Sequence, residues 1–187
     1  MKKQKLSNQK SSVTVKSRYG NFTIEATARG LYRLEFPTSK KTLKKSSAPS
    51  PATVRAALRS GSDFLKNYFS GKKRVLRGLR FDLSGFTPLE QRVLKTLAKV
   101  PPGKVVSYGE LAKKSGIPKG ARFAGSVMRK NRLPVILPCH RVVLTSGVIG
   151  RYSGGPGWKE RLLKLEGVKM KGNDIIPASK KGSLLAA

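Results

Sequence analysis

Alternating apolar and polar residues in the first part of the chain predict short β-strands. Residues 13–36 contain three such runs, separated by turns that include glycine. Apolar positions at helical spacing then predict a helix over about residues 53–69, which Gly61 is expected to weaken. A further strand is expected over residues 74–83, and residues 37–52, rich in lysine, serine and proline, are expected to form an exposed loop. This pattern predicts a small strand-rich unit with at least one helix, preceded by a basic arm.

After residue 85, most apolar residues recur at the spacing of an α-helix. Thr87, followed by Pro88, has the form of a helix N-terminus, with threonine as N-cap and proline in the first turn. Two short helices joined by a glycine-containing turn then form a helix-turn-helix pattern. This pattern occurs in DNA-binding proteins, where the second helix reads the DNA, and also in helical hairpins without DNA function. The elements predicted here are helices over about residues 88–99, 108–114, 120–130 and 156–165, and a short strand at Val105-Val106.

The charge of the chain points to a class of partner. Forty lysine and arginine residues stand against nine aspartate and glutamate residues, giving a formal charge of +31. A positive charge of this size opposes folding into a compact state, because the like charges repel one another. A polyanion is the partner that best offsets this repulsion. Nucleic acid is favoured, while an anionic membrane surface and a general bias towards basic residues stay open as alternatives. No run of 18 apolar residues and no secretory signal occur, so a cytoplasmic (nuclear, if eukaryotic) location is expected.

A single cysteine and a single histidine exclude several kinds of site. No intrachain disulfide can form, and a Cys/His zinc site, which needs four ligands, is excluded. A metal site made of carboxylates alone stays open, but no clustered Asp/Glu spacing indicates one, so no metal is expected. The two residues are adjacent, as Cys139-His140, and Arg141 follows them. Nearby cations favour the nucleophilic thiolate. Neighbours at i and i+1 seldom face each other, so a bridging water or a local turn is expected between the two side chains. A small buried cysteine beside a core histidine is the alternative interpretation.

The surroundings of this cysteine resemble a known family. Pro138-Cys139-His140-Arg141-Val142 is similar to the active-site signature of O6-alkylguanine-DNA alkyltransferases, also called methylated-DNA–protein-cysteine methyltransferases. The resemblance covers about residues 86–167 in the same order, whereas residues before 86 match only in general layout. Its further segments are residues 87–94, 101–112, 122–131, 147–155 and 159–167.

The resemblance implies an α+β fold with two domains. A small N-terminal α/β (ribonuclease H-like) domain with a basic arm is expected in residues 1–85. A winged-helix/helix-turn-helix-like domain, which carries DNA binding and alkyl transfer, is expected in residues 86–170. Residues 171–187 are expected to form a loose basic tail.

The resemblance also implies a single-turnover reaction and a role for each site residue. Cys139 would attack the alkyl carbon on guanine O6 and keep the alkyl group as a thioether. His140 would take the thiol proton through water, and Glu166 would orient the imidazole. Tyr108 would donate a hydrogen bond to a guanine ring nitrogen as negative charge develops on the base. Asn131 would hold neighbouring backbone turns together. The residues implied to bind the base are Tyr108, Val142, Tyr152 and Ser153, with the carbonyls of Cys139 and Val142 reading the exocyclic amine.

The second short helix would bind DNA. Since guanine O6 is closed to in-line attack inside a duplex, the base must be flipped out, and Arg122 would fill the gap. Small residues would let the helix approach the minor groove. Phe123 departs from the family, which usually has a small residue there. The residues implied to contact DNA are Gly120, Ala121, Arg122, Gly125, Ser126 and Arg141, and Ala124 is a further small residue of this helix.

The resemblance also implies a partner and a source of the alkyl group. The partner would be alkylated double-stranded DNA bound in the minor groove by a monomer, with cooperativity left open and no membrane involved. No cofactor is expected, because the damaged base, O6-alkylguanine or also O4-alkylthymine, supplies the alkyl group. Two other functions stay open: a DNA-binding regulator without chemistry, although non-catalytic relatives replace the cysteine, and a basic ribosome-associated or RNA-binding protein.

Overall fold

A computed structural model describes residues 10–37, 50–72 and 78–176. The chain divides after Gly85 into two compact units. Strands and helices occur in both units, so the predicted α+β class is confirmed. Within the described ranges, no helix is long and apolar enough to cross a membrane.

In the residues that the structure describes, the first unit is an antiparallel sheet with one helix packed against it. Strands β1 (Ser11–Ser17), β2 (Gly20–Thr27) and β3 (Gly30–Glu35) pair in sequence order. Helix α1 (Ala52–Phe69) packs against all three strands. A Cβ at Gly61 would lie 2.8 Å from Leu31 Cδ2, so the residue expected to weaken the helix is the one that lets it approach the sheet.

Three expectations for this unit need correction or fall outside the described residues. The strand predicted over residues 74–83 is reduced, from residue 78 onwards, to a single bridge between Phe81 and Leu31. The basic N-terminal arm expected over residues 1–12 is shorter at its end, because β1 already begins at Ser11. Residues 1–9 of the arm, most of the predicted loop, and residues 74–77 lie outside the described residues.

The second unit is mainly helical. Ser107 and Glu110 cap the helix Tyr108–Lys114 reciprocally: the Ser107 backbone N–H donates to Glu110 Oε2 (2.9 Å), and Glu110 N–H donates to Ser107 Oγ (3.1 Å). Thr87 and Glu90 form the same capping box. Gly120 lies against Ile117 in the turn of the helix-turn-helix, where a Cβ would approach Ile117 Cγ2 to 2.5 Å. The elements are α2 (Pro88–Leu97), β4 (Val106–Ser107), α3 (Tyr108–Lys114), α4 (Ala121–Lys130), β5 (Val142–Val143), α5 (Trp158–Leu165), β6 (Met170–Lys171) and β7 (Asp174–Ile175).

The expectation of a loose tail from residue 171 is wrong for the part that the structure describes. Strands β6 and β7 form an antiparallel hairpin, with Met170 opposite Ile175. Ile175 is buried in an apolar cluster with Val143, Ile149 and Leu163. This burial anchors the hairpin to the second unit. Residues 177–187 lie outside the described residues.

Candidate active site

Hydrogen bonds from the Asn131 side chain support the backbone that leads into the turn carrying Cys139. Residues Cys139–Arg141 form one turn of 3₁₀-helix directly before β5. The buried side chain of Asn131, at the end of α4, donates from Nδ2 to the Leu137 carbonyl (2.8 Å) and accepts at Oδ1 from Leu133 N–H (3.0 Å). Asn131 thus ties the end of α4 to the segment that leads into the cysteine.

The Cys139 thiol is buried and carries its proton at rest. Only 5% of the residue is exposed, and burial raises the pKa of the thiol above its ordinary value. Hydrogen bonds from the side chains of Asn131 and Tyr152, and the positive charge of Lys159, act in the opposite direction on this pKa. Attack by this sulfur therefore requires a base, and these three groups stabilise the thiolate once it forms.

The two residues that follow Cys139 in this turn belong to a buried network of charges around Glu166. His140 Nε2 lies 2.9 Å from Glu166 Oε1, and both side chains are fully buried. Arg141 donates to the same carboxylate through Nε (2.8 Å, Oε2) and Nη2 (2.7 Å, Oε1), while its Nη1 donates to the Val100 carbonyl. A fourth donor is the Gly103 backbone N–H, 3.3 Å from Glu166 Oε2. Every oxygen of the carboxylate is thus occupied by donors.

The charge states in this network follow from burial and from these contacts. Burial alone would raise the pKa of Glu166, but the hydrogen bonds from His140 and Arg141 hold it well below its usual range. Burial lowers the pKa of His140, and the charges of Arg141 and Lys159 lower it further, against the opposing effect of Glu166. The network therefore holds a carboxylate, a guanidinium and a neutral imidazole near pH 7.

Lys159 is a buried cation that sequence reasoning missed. It lies in the first turn of α5, is 3% exposed, and donates from Nζ to the Val142 carbonyl (2.6 Å). Burial lowers the pKa of Lys159 to about 8, while the charge of Cys139 acts to raise it. Among the described residues, no carboxylate forms an ion pair with this ammonium. The sequence contained one sign of this burial, because the spacing of Lys159 from Leu162 and Leu163 puts it on the apolar face of the helix.

Two tyrosines complete the surroundings of the thiol. Parallel pairing of β4 with β5 places Ser107 opposite Val143, which brings the start of α3 beside the cysteine turn. Tyr108 is half-buried there, and burial, followed by the charge of Cys139, raises its pKa. Its ring packs over Gly125 of α4. The Tyr152 ring stands edge-on to the His140 imidazole, with 6.5 Å between ring centroids.

A cavity of about 470 Å³, within the size range of ligand pockets, lies on the side of the site formed by Tyr152 and Lys159. Tyr152 and Lys159 are part of its lining, together with glycines of the loop between β5 and α5. Ser153, predicted to bind the base, is an exposed residue of this loop. Within the ranges described, no group of three or more histidine, cysteine, aspartate or glutamate side chains is placed to hold a metal ion.

The structure separates the residues predicted to contact DNA into two groups. Arg122 is exposed on α4, and Ala121, Gly125 and Ser126 are half-buried on the same helix. The assignment of Arg141 to DNA is wrong, because its guanidinium is buried against Glu166 and cannot reach a phosphate. Ala124 is fully buried, so its small size serves the core and not a groove.

Comparison with known proteins gives consistent matches. The profile described as 6-O-methylguanine DNA methyltransferase, DNA binding domain, matches residues 88–168. The methylated-DNA–protein-cysteine methyltransferase of Shigella flexneri is 40% identical over 106 residues, 57% of this chain and 61% of that protein, so less than two thirds of its length is matched. The protein of the same name from Mycobacterium tuberculosis is 39% identical over 118 residues, 63% of this chain and 68% of that protein. The crystal structure of Mycobacterium tuberculosis OGT in complex with DNA superposes with a TM-score of 0.70 at 33% identity, covering 83% of this chain and 92% of that one.

Proposed function

The chain belongs to the family of methylated-DNA–protein-cysteine methyltransferases, and on that premise we propose that it repairs alkylated DNA by moving an alkyl group from guanine O6 to Cys139. The observation that carries the proposal is the buried thiol of Cys139 with a buried, neutral imidazole on the next residue of the same turn, a carboxylate behind the imidazole and an ammonium near the thiol. A nucleophile, a base and a group that orients the base are what a cysteine needs to attack carbon.

The reaction displaces guanine from the alkyl carbon in one step. His140 takes the thiol proton through a bridging water, and the thiolate of Cys139 attacks the alkyl carbon on the side opposite O6. The new S–C bond forms as the C–O6 bond breaks, and the electron pair of that bond goes to the base. A hydrogen bond from Tyr108 stabilises the charge that develops there. The product is a neutral thioether that does not return to the thiol, so each molecule acts once.

The helix α4 is the proposed DNA-binding element. Its exposed Arg122 is available to fill the space left by a flipped nucleotide, and Ala121 and Gly125 add little bulk beside it. Readout in the minor groove is degenerate, which suits a protein that must act at guanines in any sequence. The formal charge of +31 supports phosphate binding. We place this activity in a monomer in the cytoplasm, or in the nucleus of a eukaryotic cell.

Intact-mass spectrometry of the protein tests the proposal. The protein is incubated with a duplex that contains one O6-methylguanine, with the undamaged duplex as control. We expect a gain of one methyl group per molecule, mapped to Cys139 and absent from Cys139→Ala, which contains no thiol. Tight binding that depends on the lesion without any mass change would identify a damage sensor, and binding indifferent to the lesion would leave a basic DNA-binding protein. Either result refutes alkyl transfer.

A further inference from the structure

The side chain of Arg141 is turned inward in a strongly basic protein. Arg141 is 3% exposed, and the observed hydrogen bonds of its side chain go to Glu166 and to the Val100 carbonyl. An arginine that served only as a surface cation would leave its guanidinium in water. A bidentate pair with a fully buried carboxylate is a costly arrangement, since both charges lose their hydration. This arrangement calls for a role within the active site.

Donors and acceptors around Glu166 fix the position of the proton on His140. A guanidinium only donates and a carboxylate only accepts, and Glu166 is held as a carboxylate. The imidazole must therefore donate from Nε2 to Oε1, which it shares with Arg141 Nη2. With its proton on Nε2, a neutral imidazole has Nδ1 as its basic nitrogen.

We propose that Arg141 is a positioning residue, which neutralises Glu166 in advance and thereby keeps His140 as a neutral imidazole able to accept the thiol proton of Cys139. The proposal deepens the proposed function and rests on it for the part that concerns catalysis. Without the guanidinium, a buried carboxylate would face only the imidazole and a backbone N–H. The imidazole would then take up a proton from solution to balance the charge. An imidazolium carries hydrogen on both nitrogens and accepts none.

The other groups that face His140 do not replace Arg141. Lys159 of α5 lies close enough to oppose a positive charge on the imidazole, yet its ammonium donates to the Val142 carbonyl and not to Glu166. Cys139 is protonated at rest, and the Tyr152 ring is uncharged and perpendicular to the imidazole. Arg141 is therefore the one cation in the described part of the chain that pairs directly with Glu166.

Nitrogen-15 NMR of the imidazole tests the proposal without any substitution. His140 is the only histidine of the chain, so its two ring nitrogens give an unambiguous pair of signals. Near pH 7 we expect one protonated and one unprotonated nitrogen, with the proton on Nε2. Two protonated nitrogens at this pH in the wild-type protein would overturn the proposal. The measurement needs no DNA, so it stands apart from the test of alkyl transfer.

Substitutions of Arg141 then separate its charge from its packing. In Arg141→Met we expect the pKa of the imidazole to rise above neutral pH, so that the imidazole is protonated near pH 7. Near pH 7 the rate of methyl transfer should fall about ten-fold for each unit by which the pKa of the imidazole exceeds the pH. The rate should recover as the pH rises. Arg141→Lys, which keeps the charge, should hold a larger fraction of His140 neutral. Arg161→Met, at an exposed position of α5, is the matched control and should leave both measurements unchanged.

The results distinguish the two proposals. A folded Arg141→Met protein with a neutral imidazole, or with a rate lowered by the same factor at every pH, would overturn the role of Arg141 while leaving alkyl transfer in place. A wild-type protein that holds the neutral imidazole but transfers no methyl group would refute the proposed function and would confirm the charge state that we assign to His140.

Discussion

Glu166→Gln should strongly destabilise the second unit, because it removes the single negative charge of a buried network. Arg141, 3% exposed, would keep its charge without a counter-ion, and breaking a buried pair in this way costs about 3–5 kcal/mol. The new amide also supplies one acceptor and one donor group, where the carboxylate accepted from four donors: His140 Nε2, Arg141 Nε and Nη2, and Gly103 N–H. We therefore expect the free energy of unfolding near pH 7 to fall by about 3–5 kcal/mol.

The pH dependence of this loss has a definite sign. Because the folded protein holds the pKa of Glu166 well below the ordinary value of 4.5, the carboxylate stabilises the fold fully above that value. This contribution is lost as the pH falls below 4.5 towards the pKa in the folded protein. The difference between wild type and Glu166→Gln should accordingly be constant around neutral pH and should shrink in acid.

Urea unfolding followed by tryptophan fluorescence measures this difference. Trp158, the only tryptophan, is buried in α5, so its emission reports on the unit that contains Glu166. Glu160→Gln is the matched control: its side chain is 35% exposed and pairs with Lys164 at 2.6 Å, a contact worth less than about 0.5 kcal/mol. A loss in Glu166→Gln of no more than about 1 kcal/mol near pH 7 would refute the buried, charged pair.

Three further predictions concern other parts of the molecule. Lys159→Met should raise the pKa of the Cys139 thiol by about one unit, measured from the pH dependence of thiol alkylation, and an unchanged profile would contradict the electrostatic role of Lys159. Arg122→Ala should slow methyl transfer from duplex DNA about ten-fold, by roughly 1.4 kcal/mol, without changing transfer from the free base; an equal loss in Arg129→Ala, at another exposed position of α4, would contradict a specific role. Gly61→Ala should lower the free energy of unfolding by about 1 kcal/mol. Crowding of the new methyl group against buried neighbours costs roughly 1–3 kcal/mol, while alanine stabilises the helix by about 1 kcal/mol relative to glycine. A more stable protein in thermal unfolding would show that α1 packs less closely against the sheet.

Local signals in the sequence predicted local structure well. The helix expected over residues 108–114 has those bounds in the structure, and its start is defined by Ser107 and Glu110, whose side chains each accept a hydrogen bond from the other's backbone N–H. The hairpin of β6 and β7 was missed, since strands of two residues are too short to show alternation. Pairing of Ser107 with Val143 was also out of reach, because it joins distant parts of the chain through packing.

The site shows the same division between local and long-range information. A motif located Cys139 and its histidine, but the neighbouring Arg141 was assigned to DNA because a basic chain offers no local sign that one cation is buried. Its partner Glu166 lies at the end of α5, and the fold alone brings the two together. Lys159 was missed for a related reason, since charged residues are expected on exposed faces and its position on an apolar face was not weighed.

Buried charge explains why this site needs both a base and a separate cation. At rest the thiol is protonated, and the described site holds two cations, Arg141 and Lys159, against one anion, Glu166. Transfer of the thiol proton to His140 creates a thiolate near the ammonium of Lys159 and an imidazolium beside the carboxylate, so each new charge meets its opposite. The thioether that forms is neutral and no longer gains from the ammonium. Lys159 therefore favours the attacking thiolate over both the resting thiol and the alkylated product, which is the condition for a charge to lower a barrier instead of only strengthening binding.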